Sequence, residues 1–456
     1  MMKIYESWCN MKKLSFSQIL SVSLMLFAIF FGAGNMIFPP AMGQLAGTNY
    51  FSALLGFIIT DAGIAILGIT AIVLVGSTMD DLGSLISKKF AIFLSVGVYL
   101  LIGPLFALPR TGSVSFEISV LPYINPDQKM LWSLLFTGVF FLITYYLSSN
   151  PNRIVDIVGK ALTPVLLISI FVIFITTMFH PEGNGLIEMG SIAQPVNGYE
   201  EIPLFKGMIE GYNALDGPAG LAFAIIVINA IRNFGISDRK SIAKYTIICG
   251  LGSAFFLSIV YFMLTYIGAN TITPFENGGS LLHGVTSHLF GGAGGFILGI
   301  AVLLACLTTS IGLTTSFANY FKFILPEKWT YKKIAAFVCV FSFVIANVGL
   351  SQLIAISLPI LIMIYPVTVV LIVLSFFRNK IKHRRMVYVM AMILTFVISF
   401  VNGLDSAGIS LGVITELVAS LPFYKLSLGW IWFALLGIII GMLPFWPMNK
   451  PIQKME

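Results

Sequence analysis

Twelve long runs of mostly apolar residues constrain the fold of this chain more than any other feature. Charged residues or segments rich in Pro and Gly separate the runs. A transmembrane helix needs about 20 apolar residues to cross the hydrocarbon core of a bilayer. The pattern predicts an all-α polytopic membrane protein with twelve transmembrane helices. The expected spans are 17–43, 50–76, 90–121, 130–147, 154–179, 205–231, 243–268, 292–321, 334–349, 353–377, 386–403 and 428–447.

The composition excludes the main classes of soluble protein. Charged residues make up 10% of the 456 residues, against about 25% in a typical soluble domain. A hydrophobic fraction of 58% excludes a soluble enzyme, a disordered chain and a coiled coil. The 4 Cys residues lie far apart in sequence, which excludes a disulfide scaffold and a zinc site. Because no catalytic cluster or nucleotide-binding fingerprint is present in the sequence, we predict that the protein is not an enzyme.

The net charge is +7, and the distribution of the Lys and Arg residues indicates how the spans are oriented. If the N-terminus is cytoplasmic, 22 of the 26 Lys and Arg residues fall in cytoplasmic segments and 3 in outside segments. Arg110 is left over, within the third span. This bias is what the positive-inside rule predicts for an even number of spans. We therefore expect both termini to be cytoplasmic and the positive charge to face the cytoplasm, beside membrane lipid and with no nucleic-acid partner.

The N-terminal residues are not expected to form a signal peptide. Lys12 and Lys13 precede the first apolar run, but no small-residue cleavage site follows it. We interpret this run as the first span. Residues 1–10 are interpreted as an extension ahead of an alternative start at Met11.

Spans one to five and six to ten form two blocks of similar length. Because five is odd, the second block enters the membrane in the opposite sense, as in an inverted repeat. The expected units are a cytoplasmic tail (1–16), the first repeat (17–179), an extracellular loop (180–204), the second repeat (205–377) and two further helices with a cytoplasmic tail (378–456).

The first helix of each block is interrupted at a similar depth, by residues 32–35 and by residues 211–220. A lone Gly or Pro in a span usually means close packing or a kink. Here polar residues accompany them, and unwound backbone at membrane depth is tolerated only where it is buried in protein or lines a cavity. We therefore predict a binding site whose amides meet a carboxylate at 32–34 and whose carbonyls at 211–217 meet an ammonium or a cation. The candidate substrate-binding residues are Gly32, Ala33, Gly34, Asn35, Tyr212, Asn213 and Asp216.

The eighth span offers an oxygen-only half-site. Ala305, Thr308 and Thr309 share one helix face, and one carbonyl with two hydroxyls suits Na⁺. The alternative is that these hydroxyls bond to carbonyls of their own helix or join helices together. The spacing alone slightly favours this alternative.

Asp61 and Asp216 each lie about eleven residues into a span. Asp216 is expected to cap the second half of the sixth span, to bind an ammonium or to take up a coupling proton. Asp61, in the second span, is functional, or is neutral, or is satisfied by a neighbouring helix, and we do not predict it as a ligand. Arg110 and Glu117 are seven residues apart in the third span, which suggests a structural ion pair or an outer gate.

The loop at 269–291 is rich in Gly and suggests a lid between the seventh and eighth spans. His283 and His288 lie within this loop. No Cys accompanies them, and we interpret both as surface residues rather than metal ligands.

Four motifs resemble those of the bacterial branched-chain amino acid:cation symporter family, within the amino acid–polyamine–cation superfamily. They are FFGAGNMIFPPAMGQLAG (30–47), GPLFALPRTGSVSFE (103–117), GYNALDGPAGLAFA (211–224) and ACLTTSIGLTTS (305–316). The resemblance extends from about Lys12 to Lys450. It implies the leucine-transporter fold, a 5+5 inverted repeat with helices 1 and 6 broken, plus two C-terminal helices, in the bacterial plasma membrane.

The resemblance also implies a function. It suggests a secondary-active importer of Leu, Ile and Val that an Na⁺ gradient drives by alternating access. Proton coupling through Asp216 or Asp61 is the alternative, and a membrane-embedded enzyme is less favoured. No cofactor beyond the coupling ion and no obligatory protein partner are expected. The implied cation ligands are the carbonyls of Ala28, Phe31 and Ala305 and the hydroxyls of Thr308 and Thr309.

Overall fold

The computed structural model describes residues 13–149, 163–181, 187–381, 383–426 and 428–443. Within these ranges the chain forms helices and no strand, apart from an isolated bridge between Met189 and Thr271. Residues 1–10, the start of the fifth predicted span and the end of the twelfth lie outside the described residues. The α-helices of the described ranges are α1 (Phe16–Phe30), α2 (Ala33–Ala46), α3 (Tyr50–Ile58), α4 (Ile64–Val75), α5 (Met79–Gly83), α6 (Lys88–Leu100), α7 (Ala107–Ser119), α8 (Lys129–Ser148), α9 (Thr163–Phe179), α10 (Pro203–Ala214), α11 (Asp216–Asn233), α12 (Arg239–Ala269), α13 (Gly278–Phe290), α14 (Gly292–Ile324), α15 (Tyr331–Ala346), α16 (Leu350–Phe376), α17 (Arg384–Ser406), α18 (Val413–Ala419) and α19 (Trp430–Gly441).

The helices are those of a multi-pass membrane protein. Among the described residues, seven helical stretches are long and apolar enough to cross a bilayer, or eight if a bent pair counts as one span. Each of the twelve predicted spans overlaps at least one helix. Large apolar side chains face outward, such as Phe93 (77% exposed), Leu142 (68%) and Phe255 (62%). Such a surface suits lipid rather than water.

The first predicted break lies between α1 and α2. Phe31 (φ −69°, ψ 86°) and Gly32 (φ −121°, ψ −153°) leave the helical conformation, and the helix resumes at Ala33. Asn35, expected within the interruption, lies instead in the first turn of α2. The break is therefore earlier and shorter than the predicted run at 32–35.

The second predicted break is a single residue. Leu215 adopts a left-handed conformation with φ 77°, and α10 and α11 meet there at 46°. The ten-residue interruption predicted at 211–220 was too long. Pro218 lies in the first turn of α11, where backbone amides have no helical acceptor, so its missing N–H does not break the helix.

Two further irregularities fall in the second and third spans. The turn at Ile59–Gly63 is a π-helix, a form often found at functional sites, and it contains Asp61. The turn at Leu101–Leu105 is also π-helical, and Gly103 within it is non-helical (φ −83°, ψ −116°). The third span therefore bends before α7, the helix that carries Arg110.

Small residues let the broken helices approach their neighbours. A Cβ atom on Gly207 of α10 would collide with the carbonyl of Ala53 on α3, and one on Gly56 would collide with the carbonyl of Leu204. Close backbone contact of this kind stabilises helix pairs in membranes. The α14 segment from Ala305 to Ser316 is buried along its whole length at the centre of the bundle.

The loop at 269–291 contains a packed helix. Asn277 caps the N-terminus of α13 with its side chain. His288 is only 1% exposed, and its Nε2 lies 2.9 Å from the carbonyl of Pro181. The expectation that His288 is a surface residue was wrong, because the loop folds against the bundle.

Candidate functional site

The two helix breaks meet at a central cavity. Its volume is about 20 Å³, room for about one water molecule. A larger ligand enters only if the walls move apart. The lining residues are Ile29, Phe30, Gly32, Ala33, Gly34, Asn35, Ala107, Arg110, Thr111, Ala214, Leu215, Asp216, Ala219, Phe223, Thr309 and Leu313.

Asn35 connects the polar groups of this region. Its Oδ1 accepts the Gly32 amide at 3.2 Å, and its Nδ2 donates to Asp216 Oδ2 at 2.8 Å. The same Nδ2 lies 2.6 Å from the hydroxyl of Tyr261 and 3.4 Å from Asp61 Oδ2. The Tyr261 hydroxyl in turn donates to Asp61 Oδ2. One amide therefore joins the first, second, sixth and seventh predicted spans.

Asp216 does not cap α11 through its side chain. Leu215 occupies the N-cap position, and no side-chain cap bond is present there. The carboxylate accepts from Asn35 instead. The capping role expected from the sequence is therefore replaced by a contact with the first break, while the carboxyl group still lies at the positive end of α11.

Arg110 holds the second break. Its Nη1 donates to the carbonyl of Asn213 at 3.0 Å and its Nη2 to that of Ala214 at 3.1 Å. The guanidinium carbon also lies 5.6 Å from the centre of the Phe38 ring. These two carbonyls belong to the segment that was expected to be open to an ammonium. The buried guanidinium of Arg110 already bonds to both carbonyls, at the negative end of α10.

The suggested pairing of Arg110 with Glu117 is not made. Arg110 lines the central cavity, whereas Glu117 lines a separate one of about 430 Å³ together with Lys129. Seven residues at a rise of 1.5 Å separate the two side chains by about 10 Å along the helix. Sharing a helix face therefore does not bring them into contact.

The candidate substrate-binding residues divide into two groups. Gly32, Ala33, Gly34, Asn35 and Asp216 line the cavity. The Gly32 amide already donates to Asn35, which leaves those of Ala33 and Gly34 at the start of α2, where amides lack helical acceptors.

Tyr212 and Asn213 lie away from the cavity lining. The Tyr212 ring packs on that of Tyr365 at 4.2 Å between centroids. The side-chain amide of Asn213 donates to Glu210 at 3.2 Å. Both residues therefore help to hold the end of α10 rather than face the open volume.

Four of the five candidate cation ligands lie together where α1 meets α14, namely Ala28, Ala305, Thr308 and Thr309. Thr308 Oγ1 is 2.7 Å from the carbonyl oxygen of Ala28 and 2.8 Å from that of Ala305. Thr309 Oγ1 is 3.4 Å from the same Ala28 oxygen. Phe31 follows α1 in a non-helical conformation. The hydroxyls donate to these carbonyls, an arrangement compatible both with helix packing and with an oxygen ligand set.

Two tyrosines at the site carried no sequence signal. Tyr261 and Tyr365 are fully buried, and each lies in a mostly apolar span. The Tyr365 hydroxyl donates to the carbonyl of Thr60 in the π turn, beside Asp61. Their role depends on partners far away in sequence, which periodicity does not reveal.

A family model described as branched-chain amino acid transport protein matches residues 15–446. The chain belongs to this family. Among curated relatives, the branched-chain amino acid permease BraB of Bacillus subtilis is 42% identical, over 92% of this chain and 94% of the relative. The branched-chain amino acid transport system 2 carrier protein of Pseudomonas aeruginosa is 36% identical, over 95% and 97%. The chain is thus a transport permease and not an enzyme.

Solved structures share the fold at low sequence identity. A nucleobase–cation symport transporter in a closed conformation matches with a TM-score of 0.60 at 13% identity, covering 93% of this chain and 91% of the other. The transporter MhsT in complex with L-phenylalanine matches with a TM-score of 0.53 at 15% identity, covering 92% and 97%. This family member therefore has a transporter fold found in chains of very different sequence.

Proposed function

We propose that this chain imports leucine, isoleucine and valine across the plasma membrane by Na⁺ symport. The observation that carries the proposal is the meeting of two helix breaks at one cavity, beside the oxygen cluster of α1 and α14. Broken helices near the midplane are where transporters bind substrates and coupling ions. The BraB and Pseudomonas relatives, named for branched-chain amino acids, support the substrate class.

The proposed architecture has twelve transmembrane helices with both termini cytoplasmic. Spans one to five and six to ten form the two inverted repeats, and the last two spans lie outside them. The distribution of Lys and Arg supports this topology. The transporter fold shared with the solved structures supports the repeat.

The amino acid would bind with its two charged ends at the two breaks. The free amides of Ala33 and Gly34 suit its carboxylate, aided by the positive end of α2. Asp216 suits its ammonium. The branched side chain would meet the apolar wall of Ile29, Phe30 and Phe223. Such a wall discriminates by about 1–3 kcal/mol per methylene, so Leu, Ile and Val would compete with one another.

Na⁺ would couple to the substrate through the first break. An ion held by oxygens of Ala28, Thr308 and Thr309 would fix the end of α1, and Gly32 is packed directly on Thr309. A Cβ on Gly32 would lie 2.6 Å from Thr309 Oγ1. Ion binding would thereby order the break that presents the Ala33 and Gly34 amides. Opening of the cavity on alternate sides would complete transport.

The test is the Na⁺ requirement of leucine uptake by proteoliposomes containing Thr308→Ala and Thr309→Ala together. The expected result is a half-saturating Na⁺ concentration raised at least about tenfold, since two ligand oxygens are lost (about 1.4 kcal/mol or more). Thr368→Ala is the matched control, because Thr368 is buried and, within the described part of the chain, its hydroxyl bonds only to the Ile364 carbonyl of its own helix. An unchanged Na⁺ requirement in the double variant would remove the proposed ion site.

Proton coupling is the second candidate, and the buried carboxylates Asp61 and Asp216 favour it. A proton-coupled importer would take up leucine without Na⁺ and would lose accumulation when a protonophore collapses the pH gradient. The Na⁺ symporter would keep accumulating leucine under the same protonophore as long as the Na⁺ gradient persists.

A further inference from the structure

Asp61 and Asp216 form a buried pair at the centre of the bundle. They are 0% and 4% exposed, and their carboxyl groups are neighbours. The Oδ2 atoms of both lie within reach of the single Asn35 Nδ2, at 3.4 Å and 2.8 Å. Tyr261 supplies a second donor to Asp61. The pair therefore joins the π turn of the second span to the start of α11.

The charges around the pair do not balance two carboxylates. Arg110 of α7 is the cation that faces it among the described residues, and its Nη1 and Nη2 are already bonded to carbonyls. Tyr261 of α12 and Tyr365 of α16 also face the pair and are neutral phenols, and Asn35 of α2 carries no charge. Cys306 of α14 faces Arg110 from the other side. Two neighbouring carboxyl groups out of water do not readily ionise together, because desolvation and mutual repulsion raise the free energy of the doubly charged state.

The surroundings of one carboxyl oxygen indicate that part of the pair is a neutral acid. Asp61 Oδ1 is fully buried and has no hydrogen-bond partner among the described residues. An unpartnered oxygen on an ionised carboxylate is costly in such surroundings, and much less so on a neutral acid.

The space around the pair suits a proton and not a metal ion. Asp61 and Tyr261 do not line the central cavity, so Asp61 does not face its open volume. The Asn35 amide and the Tyr261 hydroxyl both direct hydrogens at the carboxylate oxygens. A hard cation needs a shell of oxygens around an open position, whereas a proton needs no volume.

We propose that Asp61 and Asp216 together hold one proton when the cavity is empty, and that the ammonium of the amino acid displaces it. Asp216 lines the cavity and Asp61 does not, so the ammonium reaches the pair through Asp216. The O–H bond of the protonated carboxyl breaks, the proton passes to bulk water, and one positive charge replaces another. This inference rests on the proposed function, which puts the ammonium at Asp216.

Displacement and proton symport predict opposite effects of the bound proton on the affinity for the amino acid. In symport the proton and the amino acid bind together, so each strengthens the other. In displacement each weakens the other by the same factor, as linkage requires. Leucine affinity should therefore rise with pH, by up to about tenfold per pH unit while the pair holds a full proton.

The experiment is calorimetric titration of leucine into the purified protein, with Na⁺ constant, in two buffers of different ionisation enthalpy. The difference in heat gives the number of protons exchanged per leucine bound. The expected result is release of close to one proton at the acidic end of a pH series, falling towards zero at the alkaline end. Leucine binding with no proton exchange, or with proton uptake, would overturn the inference while leaving the proposed function intact.

Variants identify the pair as the source of the proton. Asp61→Asn should still bind leucine but release no proton, whereas Asp80→Asn should release as many protons as the wild type. Asp80 is the matched control because its carboxylate bonds to Tyr320, away from the cavity. If Asp61→Asn does not fold, Tyr261→Phe serves instead. Loss of its hydroxyl disfavours the anion, so proton release should persist to higher pH.

The outcomes separate the two proposals. If the wild type binds no branched-chain amino acid, the proposed function fails. If it binds leucine and Asp61→Asn releases as many protons as the wild type, only the assignment to this pair fails.

Discussion

At the scale of single residues, Asn35 joins the first helix break to the carboxylate of Asp216 and the hydroxyl of Tyr261. A polar residue beside two glycines within an apolar run indicated a functional break. The partners of its side chain were not predictable, because Tyr261 is 226 residues away and Asp216 is 181 away. Contacts at such separations depend on how whole helices pack.

Replacing Asn35 tests whether its amide organises the site. Asn35→Ala leaves the buried carboxylate of Asp216 without this donor, and a hydrogen bond to a charged group contributes about 1.5–3 kcal/mol. We expect leucine uptake to fall at least about tenfold and the melting temperature of the purified protein to drop. Asn49→Ala is the control, since Asn49 also loses one bond, to the Tyr199 carbonyl, outside the cavity. Equal effects of the two substitutions on uptake would contradict the assignment.

Arg110 is expected to act through geometry as well as charge. Arg110→Lys keeps the positive charge, but a single ammonium does not reproduce the planar group that holds two adjacent carbonyls. Leucine uptake by this variant should fall nearly as far as that by Arg110→Met. The two initial rates, measured side by side in proteoliposomes, decide the point. A lysine variant with wild-type uptake would show that charge alone is needed.

At the scale of elements, the positions of the breaks were better predicted than their lengths. Gly-rich and polar residues marked both places correctly. The sixth span unwinds at Leu215 alone, since Pro218 is accommodated in the first turn of α11. The carbonyls released at this break are already held by Arg110, which no local pattern revealed.

The contact between the first break and α14 is tested by adding one methyl group. In Gly32→Ala the new Cβ would lie 2.6 Å from Thr309 Oγ1, so the threonine or the break must move. We expect a weaker response of leucine uptake to Na⁺, measured as the half-saturating Na⁺ concentration. Gly97→Ala is the control, because nothing lies within 4 Å of its added Cβ. A normal Na⁺ response in Gly32→Ala would separate the break from ion binding.

At the scale of the whole molecule, the class of protein followed from simple physics. Apolar runs long enough to cross a bilayer, few charges and a family-like set of motifs predicted a multi-pass transporter. The packing of connecting segments was not predictable, as the buried His288 illustrates. The burial of His288 depends on a segment that is distant in sequence, at Pro181, so the residues next to His288 do not predict it.

Labelling in intact cells tests the proposed orientation. Single cysteines at Lys129 and at Lys328, both exposed, should differ in reactivity towards a membrane-impermeant maleimide. Lys129→Cys should react from outside and Lys328→Cys only after the cells are opened. The background carries Cys9→Ser, while Cys249, Cys306 and Cys339 are buried. The reverse pattern would invert the topology.

Na⁺-coupled import is tested most directly by measuring leucine accumulation in proteoliposomes. The pH is equal on both sides, the Na⁺ gradient is directed inward and a protonophore is present. Na⁺ symport predicts that leucine rises inside above its outside concentration and drains when the Na⁺ gradient is dissipated. Equilibration without accumulation, together with accumulation under an imposed pH gradient in the absence of Na⁺ and protonophore, would contradict it.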